Sequence, residues 1–166
     1  MRKFIFTLAV CFIATFSHTQ TLPDLDGIKL DTKSDFNESA EKVVMQASDF
    51  LLTTPLEKGN IDRLKATRYV LRWMSGTSDY QFSIDESAVK LTKKNEDLLG
   101  VYMAAMVKNA LEHKTDPKDP EKAKLNTIKM VIAYAKVPGN NVKISGDLKK
   151  AVEADDKGQL AEYLKE

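Results

Sequence analysis

The chain has 166 residues, and its 25 basic and 24 acidic residues give a formal charge of +1. A near-neutral mixture of charges gives no electrostatic case for a nucleic-acid partner or an anionic membrane as the target. A single cysteine excludes a disulfide framework and a cysteine-based metal site.

The N-terminal segment has the pattern of a secretory signal peptide. A short basic start, Met1–Lys3, precedes an apolar run at Phe4–Phe16, and small residues follow. We predict cleavage of residues 1–19, so that Gln20 begins the mature chain. An uncleaved membrane anchor is the alternative, but the apolar run is short for one. Lipid attachment at Cys11 is disfavoured because the apolar run continues past it.

Residues 20–33 contain proline and glycine and show no helical period. We predict an extended N-terminal arm rather than a helix. The arm is expected to pack against the helical domain through three apolar side chains: Leu25, Ile28 and Leu30.

Two amphipathic helices are predicted next. The first covers about 34–52, with Ser34 or Asp35 as its cap. Asn60 is expected to cap the second, from Ile61 to Met74, and Gly76 to end it. The expected inward residues of the second helix are Ile61, Leu64, Val70, Trp73 and Met74.

The segment 77–84 alternates apolar and polar residues near its end. A lone run of this length has no obvious strand partner, so we predict an extended connection. Ser83 and Glu86 are then expected to cap a short helix with Ile84, Ala88 and Leu91 inward.

The chain is predicted to be organised around a central apolar helix at about 95–113, capped by Asn95. Between Leu98 and Val107 there is no charged side chain, and a helix that is apolar nearly all round must be wrapped by others. Gly100, with Ala104 one turn later, is expected to allow a close approach by a neighbouring helix.

Three more helices are predicted after a polar loop. Asp119, Pro120 and Glu121 form a strong helix start, and that helix is expected to run to about Lys136. A helix beginning at Ser145 and a short last helix follow. The prediction for 34–166 is therefore a single compact all-α domain of six or seven helices, with no transmembrane segment in the mature chain.

The sequence contains no strong catalytic or metal-binding pattern. His113 is the only histidine after cleavage, and at a helix end it is explained by the helix dipole better than by catalysis. The acids and histidine of 112–119 match no metal-binding spacing, and Gly158 is not followed by the acid that a calcium loop requires. We predict no catalytic residue, metal or cofactor.

One aromatic group is the candidate ligand-binding site: Tyr69, Trp73, Tyr80 and Phe82. Aromatic faces near hydrogen-bonding side chains suit a sugar or a peptide. The alternative is that Trp73 and Tyr69 fill the core, as large aromatic residues at helical spacing usually do.

The Gln20 start, the segment 73–80 and the helix at 98–111 resemble a group of exported proteins of Bacteroidota-type bacteria. The resemblance implies no activity, so it transfers no functional residue. We predict a non-enzymatic binding or interaction module of the cell envelope, periplasmic or extracellular, with a protein or a small ligand as its partner. One alternative is a hydrolase of envelope or dietary polymers that uses two carboxylates. Another is a purely structural component of the envelope.

Overall fold

The computed structural model describes residues 21–114 and 119–165. The predicted signal peptide, residues 1–19, lies outside them. The described residues form seven α-helices and no strand, which confirms the all-α prediction. Their bounds are α1 Glu38–Thr53, α2 Ile61–Gly76, α3 Glu86–Thr92, α4 Leu98–Glu112, α5 Pro120–Lys136, α6 Gly146–Asp156 and α7 Leu160–Tyr163.

Helix α4 is the centre of the fold, as its uncharged sequence predicts. It contacts α1, α2, α3 and α5. One side of α4 lies in a hydrophobic cluster with α1 and α2, and the other lies in a cluster with α3, α5, α6 and α7. The first side contributes Met103, Ala104, Val107 and Leu111, and the second contributes Leu98, Val101, Tyr102 and Ala105.

The close approach predicted at Gly100 is confirmed. A Cβ built on Gly100 would lie 2.8 Å from Oγ1 of Thr67, a residue of α2. Because real Cβ atoms essentially never come this close to another heavy atom, the glycine sets the spacing between α4 and α2 at this point.

A buried arginine, whose role was not predicted from the sequence, joins the end of α1 to α2 and α5. The Arg63 guanidinium donates hydrogen bonds to the carbonyl oxygens of Leu51 and Thr54. It also lies 6.0 Å from the ring centroid of Tyr134, whose hydroxyl donates to the same Thr54 carbonyl. Burial lowers the pKa of Arg63. Carbonyl groups at a helix end that would otherwise lack partners are thus satisfied.

The predicted start of the first helix is wrong by four residues. Helix α1 begins at Glu38, and Asn37 caps it by accepting from two backbone N–H groups. Asp35 instead accepts from the N–H groups of Asp31 and Thr32, within a short 3-10 turn. A side chain engaged upstream in this way cannot cap the helix downstream.

The predicted inward face of α2 is partly wrong. Ile61 and Leu64 are exposed. The buried residues are Arg63, Ala66, Tyr69, Val70 and Trp73. Apolar residues occur on both sides of this helix, so its period alone does not say which side packs against α1 and α4.

The connection between α2 and α3 is extended without a strand, as predicted. Asp85, not Ser83, caps α3 by accepting from the Ala88 N–H. Ile84 is exposed rather than inward.

Asn95 does not cap α4. Its side chain donates to the Lys143 carbonyl at 3.0 Å and accepts from the Lys143 N–H at 3.1 Å. These two bonds tie the loop before α4 to the segment before α6, and α4 begins only at Leu98.

Candidate functional site

Three of the four predicted aromatic site residues come together in space. The ring centroids of Trp73 and Tyr80 lie 5.5 Å apart, and those of Trp73 and Phe82 lie 5.9 Å apart. Tyr80 and Phe82 stack with centroids separated by 6.4 Å. The extended segment after α2 therefore folds back so that its aromatic rings cover Trp73.

Burial divides this aromatic group into two parts. Trp73 is 1% exposed and Tyr69 is 8% exposed, whereas Tyr80 and Phe82 are half-buried. Burial raises the pKa of the Tyr69 hydroxyl to about 12. Only Tyr80 and Phe82 offer substantial surface to a ligand, while Trp73 and Tyr69 belong to the first hydrophobic cluster. Ligand binding by the group as a whole stays a prediction.

Tyr80 also belongs to a polar link between three segments. Its hydroxyl donates to Glu41 of α1 at 3.1 Å. Lys114, after the end of α4, pairs with the same carboxylate. Burial and the neighbouring Glu41 charge raise the pKa of Tyr80. This link holds the aromatic segment against α1 and fixes its position.

A surface pocket of about 250 Å³ lies between the N-terminal arm and the C-terminal end of α2. It is somewhat smaller than the roughly 300–1,000 Å³ typical of ligand pockets, so it suits a small ligand. Its lining residues are Leu30, Asp31, Thr32, Lys33, Phe36, Arg72, Ser75 and Gly76.

The arm forms one wall of this pocket because apolar contacts and one hydrogen bond hold it in place. Leu30 is buried in the first hydrophobic cluster, and Leu25 and Ile28 pack against that cluster, as predicted. The Arg72 Nε donates to the Leu30 carbonyl at 2.9 Å. An anchored arm gives the pocket a defined wall.

Gly76 allows the Phe36 ring, which also lines the pocket, to pack closely against the end of α2. A Cβ built on Gly76 would lie 2.0 Å from Cζ of Phe36, so a side chain there would displace the ring. The glycine predicted to stop α2 is in fact its last residue. Its role at this point is to let the ring approach the helix backbone.

The pocket combines positive charge with an apolar surface. Lys33 and Arg72 contribute cations, and Asp31 lies 3.9 Å from the Arg72 Nη2. The Arg72 side chain is 62% exposed, so its guanidinium is open to a ligand. A guanidinium matches a carboxylate in a bidentate manner, while Leu30 and Phe36 offer apolar contacts. This pocket was not predicted from the sequence.

His113 lines a second pocket, which is far smaller. At about 20 Å³ it has room for roughly one water molecule. The His113 Nδ1 lies 2.9 Å from the Asn109 carbonyl oxygen, and the Asn126 amide donates to Asn109 Oδ1. A cavity of this size does not hold an organic substrate. Asp116, from the acidic stretch considered for metal binding, lies outside the described residues.

Two pairs of acids in the structure each share one lysine. Asp155 and Asp156 both pair with Lys136, at 3.0 and 2.8 Å. Asp49 and Glu112 both pair with Lys108, at 2.6 and 3.1 Å. In each pair the lysine lies between the two acids as their shared ion-pair partner. Over 21–114 and 119–165, no cluster of three metal-ligating side chains is found.

Comparisons with protein-family models, with curated proteins and with solved structures find no match to this chain. Among the described helices, none has the length and apolar character needed to cross a membrane.

Proposed function

We propose that the chain is an exported, non-enzymatic helical module of the cell envelope that binds a small ligand carrying a carboxylate and an apolar body. The observation that carries this proposal is the pocket between the arm and α2, which places Arg72 and Lys33 beside Leu30 and Phe36. A carboxylate would pair with the guanidinium, and the apolar body would cover the aromatic ring.

The half-buried rings of Tyr80 and Phe82 belong to the same hydrophobic cluster as Phe36. The ring contacts of Tyr80 and Phe82 with Trp73 hold the segment after α2 against that helix, whose end lines the pocket.

Titration of isotope-labelled protein with benzoate, followed by NMR, tests the proposed site. We expect amide shifts at 31–33 and 72–76, because those backbone segments line the pocket. Benzamide has the same ring without the charge and is expected to bind more weakly. Equal shifts with both compounds, or shifts confined to other segments, would contradict the proposal.

Export is tested separately by mass spectrometry of the protein recovered from its native host. The predicted mature chain begins at Gln20. An intact Met1 would overturn cleavage without affecting the pocket, since every lining residue lies between 30 and 76.

A further inference from the structure

The outward face of α2 concentrates exposed apolar side chains. Ile61 is 66% exposed, Leu64 is 51% exposed and Leu71 is 48% exposed. Over the described residues, these are three of the six large hydrophobic side chains that are exposed. Their spacing of three and seven residues places them on one side of the helix.

The same face carries cations between the apolar side chains. Lys65, Arg68 and Arg72 are all exposed, and their spacing of three and four residues aligns them. Lys65 and Arg68 form no ion pair with any residue of 21–114 or 119–165. The only acid of α2 is Asp62. The balanced total charge of the chain conceals this local excess.

We infer that this face docks on the surface of an anionic lipid bilayer. Three apolar side chains would enter the headgroup region, and the cations beside them would contact lipid phosphates, as in interfacial amphipathic helices. The face alternates cations with apolar side chains, which complements lipid phosphates above acyl chains better than it complements an extended acidic peptide. With only three apolar residues, the attachment is reversible and weakened by salt.

The test is vesicle co-sedimentation of the full chain and of the chain from Gln20, which contains all residues of both hydrophobic clusters. One set of vesicles contains phosphatidylcholine alone, and the other adds phosphatidylglycerol. The variant Lys65→Glu/Arg68→Glu removes the free cations and leaves Arg72, and hence the pocket, intact. The matched control is Lys93→Glu/Lys94→Glu, an exposed lysine pair at the end of α3.

We expect binding to the phosphatidylglycerol vesicles that falls about tenfold or more in Lys65→Glu/Arg68→Glu and little in the control. An apolar variant, Leu64→Ser/Leu71→Ser, should also weaken binding, whereas Val89→Ser/Val137→Ser should not. Far-UV circular dichroism verifies that each variant is folded.

Equal binding to both kinds of vesicle, or equal loss in the two charge variants, would overturn the inference. So would binding of polyglutamate by a protein that does not bind the vesicles. In the full chain, the apolar run of residues 4–16 is the same in every variant. A difference in vesicle binding between the variants therefore reports on the face of α2.

Discussion

Replacing Gly100 by alanine adds one methyl group at a close contact between α4 and α2. The new Cβ would lie 2.8 Å from Oγ1 and 3.3 Å from Cγ2 of Thr67. On helix propensity alone the change stabilises by about 1 kcal/mol. Overpacking typically costs about 1–3 kcal/mol, so we expect a net destabilisation of about 1 kcal/mol.

A double-mutant cycle isolates this contact. Thr67→Ala removes both crowded atoms and leaves only the residue 67 Cβ, at 3.7 Å, an ordinary van der Waals distance. In that background Gly100→Ala should stabilise by about 1 kcal/mol through propensity. The coupling between the two substitutions is then about 2 kcal/mol, within the range for residues in contact.

Urea denaturation of the four proteins measures the coupling. Gly100→Leu adds more volume, so the leucine variant should be less stable than the alanine variant in both backgrounds. A coupling below about 0.5 kcal/mol, the level expected for independent sites, would refute the steric argument. So would a Gly100→Leu variant as stable as the parent, because position 100 would then face open space.

Three further substitutions test other parts of the structure. Arg63→Met should destabilise by about 2 kcal/mol, read by thermal melting, because the Leu51 carbonyl loses the guanidinium donor and the Thr54 carbonyl keeps only the Tyr134 hydroxyl. Gly76→Ala should cost about 1–3 kcal/mol through its collision with the Phe36 ring and weaken benzoate binding. Asp85→Asn should lower stability at pH 7 by about 0.5–1 kcal/mol, since Asp85 pairs with Lys124 at 2.9 Å.

The Asp85 effect depends on pH in a defined direction. Burial raises the pKa of this carboxyl group, but hydrogen bonds from Lys124 and from the Ala88 N–H outweigh burial and lower it on balance. A lowered folded-state pKa gives stability that is present above about pH 4, the unfolded value, and is lost as the pH falls through the folded value. The gap between Asp85→Asn and the parent should therefore narrow at pH 3. A gap that stays constant between pH 7 and pH 3 would contradict this account.

Gly76→Ala has a matched control. Gly139→Ala is the control for Gly76→Ala, because nothing lies within 4 Å of a Cβ built on Gly139. If Gly76→Ala and Gly139→Ala have the same melting temperature, the Phe36 contact does not constrain position 76. An Arg63→Met variant as stable as the parent would show that the carbonyl groups find other donors.

The central position of α4 could be predicted because its sequence is compatible only with burial. Without a charge between Leu98 and Val107, α4 has no side that favours water, so burial on all sides follows. Helix α2 is different. Leu64 and Leu71 lie on one side, and Val70 and Trp73 lie on the other, so a periodic pattern fits both. Packing against α1 and α4 decides between them.

The candidate pocket could not be predicted from local sequence. Arg72 donates a hydrogen bond to the carbonyl of Leu30, which lies 42 residues earlier in the sequence, and neither residue belongs to a motif. The aromatic group was visible because its members lie within fourteen residues of sequence. Which rings are buried depends on how the segment after α2 folds back, and this is a tertiary property.

Calorimetric titration of benzoate into the parent and two arginine variants tests the carboxylate site proposed at Arg72. Arg72→Met removes the guanidinium that lines the pocket, while Arg68→Met removes a neighbouring cation of α2 outside the lining. Loss of a charged hydrogen bond costs about 1.5–3 kcal/mol. We predict that Arg72→Met weakens binding about tenfold or more and that Arg68→Met stays within about twofold of the parent. Equal weakening by both substitutions, or none by Arg72→Met, would contradict the proposed site.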